Sequence, residues 1–220
     1  MSITTSLNKI TDSIPEHCTL VAVSKTKPIE SIHSCYEAGQ RDFGENKVQE
    51  LVDKAESLPP DIQWHMIGHL QRNKVKYIAP FVNLIHGVDS SRLLTEIEKR
   101  AKNEDRIINC LLQIHIAEED SKFGFDEQEV LNLIEQNSFQ ELAHARITGL
   151  MGMATFTEDE AQVRKEFRSL KKLYDKLSSS IPNPHQMEVL SMGMSGDYQI
   201  AIEEGSTMVR IGSAIFGSRP

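Results

Sequence analysis

Cysteine is scarce in this 220-residue chain: three residues, Cys18, Cys35 and Cys110, with no close pair and no metal-ligand spacing. An odd, scattered set argues against a disulfide framework, gives a zinc site no support, and fits a reducing cytoplasm. Long apolar runs are missing too. No stretch approaches the roughly 20 apolar residues of a membrane span, and Met1 opens onto Ser, Thr, Asn and Lys rather than a basic-then-apolar leader. Positive charge is outnumbered, 24 Lys and Arg against 32 Asp and Glu, for a formal net charge of -8. That average field repels nucleic-acid phosphates and anionic lipid surfaces, so neither nucleic acid nor a membrane is expected as a partner. A small anion stays admissible, because backbone N–H groups and helix amino ends act at short range. Internal repeats, low-complexity tracts, a Walker loop, a dinucleotide fingerprint and a Ser/His/Asp grouping are all absent.

What is present is alternation. Hydrophobic residues make up 39% and charged residues 25%, the balance of an ordinary folded protein. Short β-branched runs read as strands at Thr19 to Ser24, Asp42 to Gly44, Gln63 to Ile67, Leu84 to Val88, Ile107 to Ile114, Ala145 to Leu150, Met187 to Ser191 and Met208 to Ile211. Segments of helical period fall between them at Pro28 to Ala38, Asn46 to Ser57, Leu70 to Ala79, Ser90 to Asn103, Asp126 to Gln136, Glu158 to Ser179 and Gly196 to Glu204. Ser90 or Ser91 and Thr157 stand where helix caps are expected. Eight strands alternating with helices predict a single-domain α/β fold over residues 1–220, a (β/α)8 TIM-type barrel, in preference to an open doubly wound sheet.

In such a barrel the chemistry gathers at the carboxyl ends of the strands, with phosphate commonly held after strands seven and eight. The first of those loops is "LSMGMSGD", carrying Ser191, Gly193, Ser195 and Gly196; the second is "VRIGSAIFG", carrying Gly212 and Ser213. Small residues admit close backbone approach and hydroxyls can donate, which suits a phosphate, although turns use the same residues. Strand one ends in "LVAVSKTKP", delivering Lys25 to that rim. There a lysine is either a solvated cation or a shielded amine able to attack an aldehyde. Arg210 has three readings: an internal ion pair, a phosphate contact, or a contact to a ring nitrogen. Asn46, after strand two, either caps the next helix or reaches a ligand. His65 and His69 in "WHMIGHLQRNK" straddle a strand end, so a helical metal face is unsupported, and surface roles are expected for His69, Gln71 and Asn73.

Together "LVAVSKTKP", "FGENKVQE", "WHMIGHLQRNK", "DSKFGF", "GLMGMAT", "LSMGMSGD" and "GSTMVRIGSAIFG" resemble the family of small pyridoxal-phosphate homeostasis proteins, from about residue 19 to residue 217. The resemblance implies a barrel like the amino-terminal domain of alanine racemase, with pyridoxal 5′-phosphate held as a Schiff base on Lys25. It further implies Arg210 beside the pyridine nitrogen, Asn46 near the ring, and phosphate contacts from Ser191, Ser195, Gly212 and Ser213. Two departures stand out: Lys47 replaces the tyrosine common after "FGEN", and the chain stops at Pro220. The roles of His69 and Lys122 are left open.

The resemblance implies a cytoplasmic, monomeric carrier or buffer of the cofactor in vitamin B6 homeostasis, with no catalytic residue assigned and apo-enzymes as recipients. The alternative is a pyridoxal-dependent amino-acid racemase or decarboxylase. Related racemases use a second carboxyl-terminal domain for which 220 residues leave no room. A phosphate-sugar barrel enzyme without the cofactor is the third reading.

Overall fold

The computed structural model describes residues 2–118 and 123–217. Eight parallel strands follow one another around a closed barrel: β1 (Thr19–Val23), β2 (Asp42–Glu45), β3 (Gln63–Met66), β4 (Leu84–Val88), β5 (Ile108–Ile114), β6 (Ala145–Gly152), β7 (Val189–Ser191) and β8 (Met208–Ile211). Closure is made by β8 against β1, with Val21 opposite Arg210 and Ala22 opposite Ile211. Each strand is followed by a return through the outer layer, β1 through α2 (Ile29–Glu37), and α1 (Ile3–Asp12) precedes β1. The other helices are α3 (Val48–Ser57), α4 (Val75–Ile78), α5 (Ser91–Asn103), α6 (Glu127–Glu135), α7 (Glu160–Ser178), α8 (Tyr198–Glu203) and α9 (Ser213–Phe216). The expected (β/α)8 barrel is the observed one.

The strands read as unbroken apolar runs because both faces are covered: β4 is buried at all five positions. One face meets the helices, where Ile85, Leu93, Ile97, Cys110 and Ile147 share a core. The other face points inward. Val21, Leu84, Leu111, Met151 and Met208 come from five different strands yet form one cluster, which only the inside of a barrel allows. All three cysteines are free and buried. Burial pushes the Cys18 thiol up to about 11 and that of Cys35 to about 12, so neither is a reactive thiolate at neutral pH.

Several element ends differ from expectation. Strand seven is three residues rather than five, and β6 runs two residues further, to Gly152. The helix expected from Leu70 to Ala79 is a 3-10 turn at Arg72–Lys74 followed by the single turn of α4. The cap of α7 is Asp159, which accepts from the Ala161 and Gln162 amides, while Thr157 accepts only from the Asp159 amide. An aspartate directly before the first turn takes the orphan amides from a residue two places further back. Ser90 caps α5 as expected. Helix α1 was not anticipated: "ITTSLNKITD" is rich in weak helix formers, and it is held by the Ser2 cap and by burial of Leu7 and Ile10 against Ile32, Cys35 and Ile215.

Candidate functional site

A cavity of about 600 Å³ opens at the carboxyl ends of the strands. Its wall is assembled from across the chain: Lys25 after β1, Asn46 after β2, His69 after β3, Gln113 on β5, Ser195 after β7 and Arg210 on β8. Gly212 and Ser213, after β8, complete the wall beside β1. Six of the seven residues singled out from the sequence therefore meet in one place, of a size usual for small-molecule sites.

Ser191 is the exception. It is fully buried and does not line the cavity; its hydroxyl lies under Arg210, accepting from Nη1 at 2.6 Å and meeting His86 Nδ1 at 3.1 Å. The pleat explains this, since alternate side chains of a barrel strand point inside, and Ser191 closes β7 one layer below the mouth. Arg210 also donates to the carbonyls of Ser191 and Gly152, at 2.9 and 3.1 Å. It is 4% exposed, and burial pulls its guanidinium down to about 10, still cationic at neutral pH.

The late loops form a small cradle. The amides of Gly212 and Ala214 both donate to Ser195 Oγ, at 3.3 and 3.4 Å, so two backbone donors converge on one oxygen at the cavity wall. Gly193 makes the turn into that loop with φ +96, and a Cβ there would stand 2.6 Å from the Ala201 Cβ and 3.0 Å from the Tyr198 Cα. Gly193→Ala is accordingly expected to cost about 1–3 kcal/mol. The check is a denaturant melt.

Behind Lys25 sits a buried ionic clamp. Lys54 on α3 donates to Glu45 Oε1 and Glu50 Oε1, each at 2.7 Å, and to the Ser24 carbonyl at 2.8 Å. Ser24 Oγ donates to the same Glu45 oxygen at 2.6 Å, and the Thr26 amide donates to Glu50. The residues on both sides of Lys25 are thus tied to one helix, and Thr26 is held at φ 65, outside the usual range for a β-branched residue. Burial drives the Glu45 carboxyl upward against the pull of Lys54 and Ser24. Lys27, the next lysine, is committed elsewhere: its Nζ donates to the Phe216 and Gly217 carbonyls, at 3.2 Å each.

The profile of the family described as alanine racemase, N-terminal domain, matches residues 2–220. The chain belongs to that family. Within it, a pyridoxal phosphate homeostasis protein of Pasteurella multocida is 41% identical over 205 residues, 91% of this chain and 86% of that one. Its namesake from Haemophilus influenzae is 39% identical over 232 residues, 100% of this chain and 97% of that one. Among solved structures, PipY of Synechococcus elongatus with PLP bound aligns at a TM-score of 0.88 and 33% identity, covering 98% of this chain and all of that chain (100%). An alanine racemase of Clostridium difficile aligns at a TM-score of 0.79 and 16% identity over 56% of its length, a likeness of fold alone. The resemblance seen in the motifs is therefore a family relationship.

Against that family background the remaining expectations resolve residue by residue. Asn46 does not cap α3, whose first turn receives no side-chain cap; it faces the cavity instead. Lys47 is exposed outside the cavity wall, so the departure from tyrosine falls beside the site rather than in it. His69, expected at the surface, lines the mouth, bonded to Asp89 at 2.8 Å and stacked on Phe123 at 4.3 Å. Gln71 and Asn73 line a neighbouring groove. Lys122 and Pro220 lie outside the described residues, as do the first three residues of "DSKFGF". Sequence reading missed Gln113, Met153 and Phe123 on the wall and His86 beneath it. An inward polar residue in an apolar strand, as in "LIHGV" and "LLQI", is the signal that could have found His86 and Gln113.

Proposed function

We propose that this chain binds pyridoxal 5′-phosphate in the barrel-mouth cavity, through Lys25, and acts as a carrier or buffer of that cofactor. One observation carries the reading: a lysine amine from β1, an arginine from β8 and the two late Gly/Ser loops share one cavity of about 600 Å³. The curated relatives are named for pyridoxal phosphate homeostasis, and PipY has been solved with PLP bound.

The residues fit the group. The hydroxyls of Ser195 and Ser213 offer hydrogen-bond donors to a phosphate, beside the Gly212 and Ala214 amides that converge on Ser195 Oγ, and a side chain at Gly212 would press on the Val23 carbonyl at 3.1 Å. Bound there, the cofactor would supply an electrophilic aldehyde carbon and an electron-withdrawing ring. Lys25 would hold that carbon through its amine, with water as the leaving group. Asn46 would face the ring, and Arg210 would offer the ring nitrogen a permanent donor. A guanidinium at about 10 shares its proton without giving it up at neutral pH, so the ring stays a weak electron sink. That supports storage over a catalytic cycle.

Delivery to apo-enzymes, a cytoplasmic setting and a monomer complete the reading. Three unpaired buried thiols fit a reducing compartment, and a closed barrel offers no unpaired strand edge to a second copy. Among the described residues no helix is long and apolar enough to cross a membrane. Protein loaded with pyridoxal phosphate, reduced with borohydride and digested is expected to carry the adduct on Lys25. Incubated with a panel of amino acids, it is expected to exchange cofactor with no repeated turnover; racemised or decarboxylated product accumulating beyond one equivalent would make it an enzyme.

A further inference from the structure

A row of polar side chains runs through the inside of the barrel. His65 Nε2 meets Asp42 Oδ1 at 2.9 Å, His65 Nδ1 meets His86 Nε2 at 2.9 Å, His86 Nδ1 meets Ser191 Oγ at 3.1 Å, and Ser191 Oγ accepts from Arg210 at 2.6 Å. Asp42 begins β2 at the amino end and its side chain is 30% exposed; both histidines and Ser191 are buried, and Arg210 lines the cavity at the carboxyl end. The row therefore spans the barrel, stepping from β2 to β3 and β4 and then across to β7 and β8.

With neutral rings the two ends allow one consistent arrangement of protons. Arginine can only donate, so the Ser191 oxygen accepts from it and its hydroxyl turns to His86 Nδ1. His86 then carries its proton on Nε2 and donates to His65 Nδ1. His65 in turn carries its proton on Nε2 and donates to Asp42, which as a carboxylate can only accept. All four bonds point the same way, from guanidinium to carboxylate, and such chains strengthen one another in a low-dielectric interior. Protonation of His86 is disfavoured, since burial, then His65, then Arg210 all hold it well below the usual histidine range.

We infer that Asp42, His65 and His86 are positioning residues, a directed relay that orients Arg210 through Ser191 and ties the polarity of the cavity floor to a carboxylate at the opposite end of the barrel. A barrel needing only a filled interior would use apolar side chains here, as Leu84, Leu111 and Met151 do in the same space. The inference deepens the reading of the cavity as a cofactor site and rests on it, but its first test involves no cofactor.

Nitrogen NMR of the full chain without cofactor is expected to show the ring proton on Nε2 of both His65 and His86. Ser191→Ala removes the donor to His86 Nδ1 and leaves both tautomers set by Asp42; Asp42→Asn, whose amide can donate as well as accept, brings in the Nδ1 tautomer at both rings. In cofactor-loaded protein, Asp42→Asn and Ser191→Ala are expected to shift the bound cofactor's absorption band, and Asp42→Glu to leave it in place. A wild-type His86 protonated on Nδ1, or a band unmoved by both Asp42→Asn and Ser191→Ala, would overturn the relay. Absence of any bound-cofactor band in the wild type would instead overturn the cofactor reading, and the tautomers would still judge the relay by themselves.

Discussion

Lys25→Ala protein is expected to form no borohydride-stable adduct with pyridoxal phosphate and to hold the cofactor on the order of 100-fold more weakly, ~2.7 kcal/mol. The amine that shares the cavity wall with Arg210 is gone, and only the noncovalent contacts of the late loops, Asn46 and Arg210 are left. Folding should be nearly untouched. Lys25 is partly exposed, and such substitutions cost about 1 kcal/mol or less. Lys27→Ala is the discriminating control. That lysine borders the same cavity, but its Nζ is held by the Phe216 and Gly217 carbonyls, so its removal should leave the adduct on Lys25 intact. Peptide mapping after reduction decides between them, and an adduct that survives Lys25→Ala would end the proposed chemistry.

Lys54→Met is expected to be the most destabilising single substitution considered, at about 3–5 kcal/mol, because it strands the fully buried Glu45 carboxylate without its cation. In a chain of this length that is roughly a 10 °C fall in melting temperature. The pH dependence has a definite sign. Burial already sets the folded Glu45 above its unfolded value, so its cost is absent below the ordinary carboxylate range and grows as pH rises through the raised value. Removing Lys54 takes away the opposing pull, so the deficit should be largest at neutral pH and shrink on acidification. Glu45→Gln should restore much of the loss in the Lys54→Met background, and a double-mutant cycle in denaturant measures this coupling. Because Lys54 also holds the Ser24 carbonyl, the single variant should load cofactor less completely than its residual stability alone would explain. An equal loss at every pH would show that the clamp is not ionic.

Read from the residues alone, the alternation of runs such as "LIHGV" and "NCLLQI" with helical segments determined the barrel, because a strand covered on both faces has no option but a continuous apolar sequence. The same reading placed Lys25, Asn46, Ser195, Arg210, Gly212 and Ser213 at the strand ends, since the carboxyl edge of a parallel barrel follows from strand direction. Their convergence is a property of closure, with β8 bonded to β1, and no local pattern encodes a contact between residues 189 positions apart, as Val21 and Arg210 are. Ser191 shows the limit most clearly. Its place in a Gly/Ser loop suggested a phosphate contact, but the pleat turns its side chain beneath Arg210, and one residue of strand phase decides which. The His65 to His86 row and the Lys54 clamp were likewise invisible, because hydrogen bonds between distant strands depend on register across the barrel rather than on composition along the chain. Sequence determined which residues reach the rim; tertiary structure alone decided which of them face the cavity and which stand behind it.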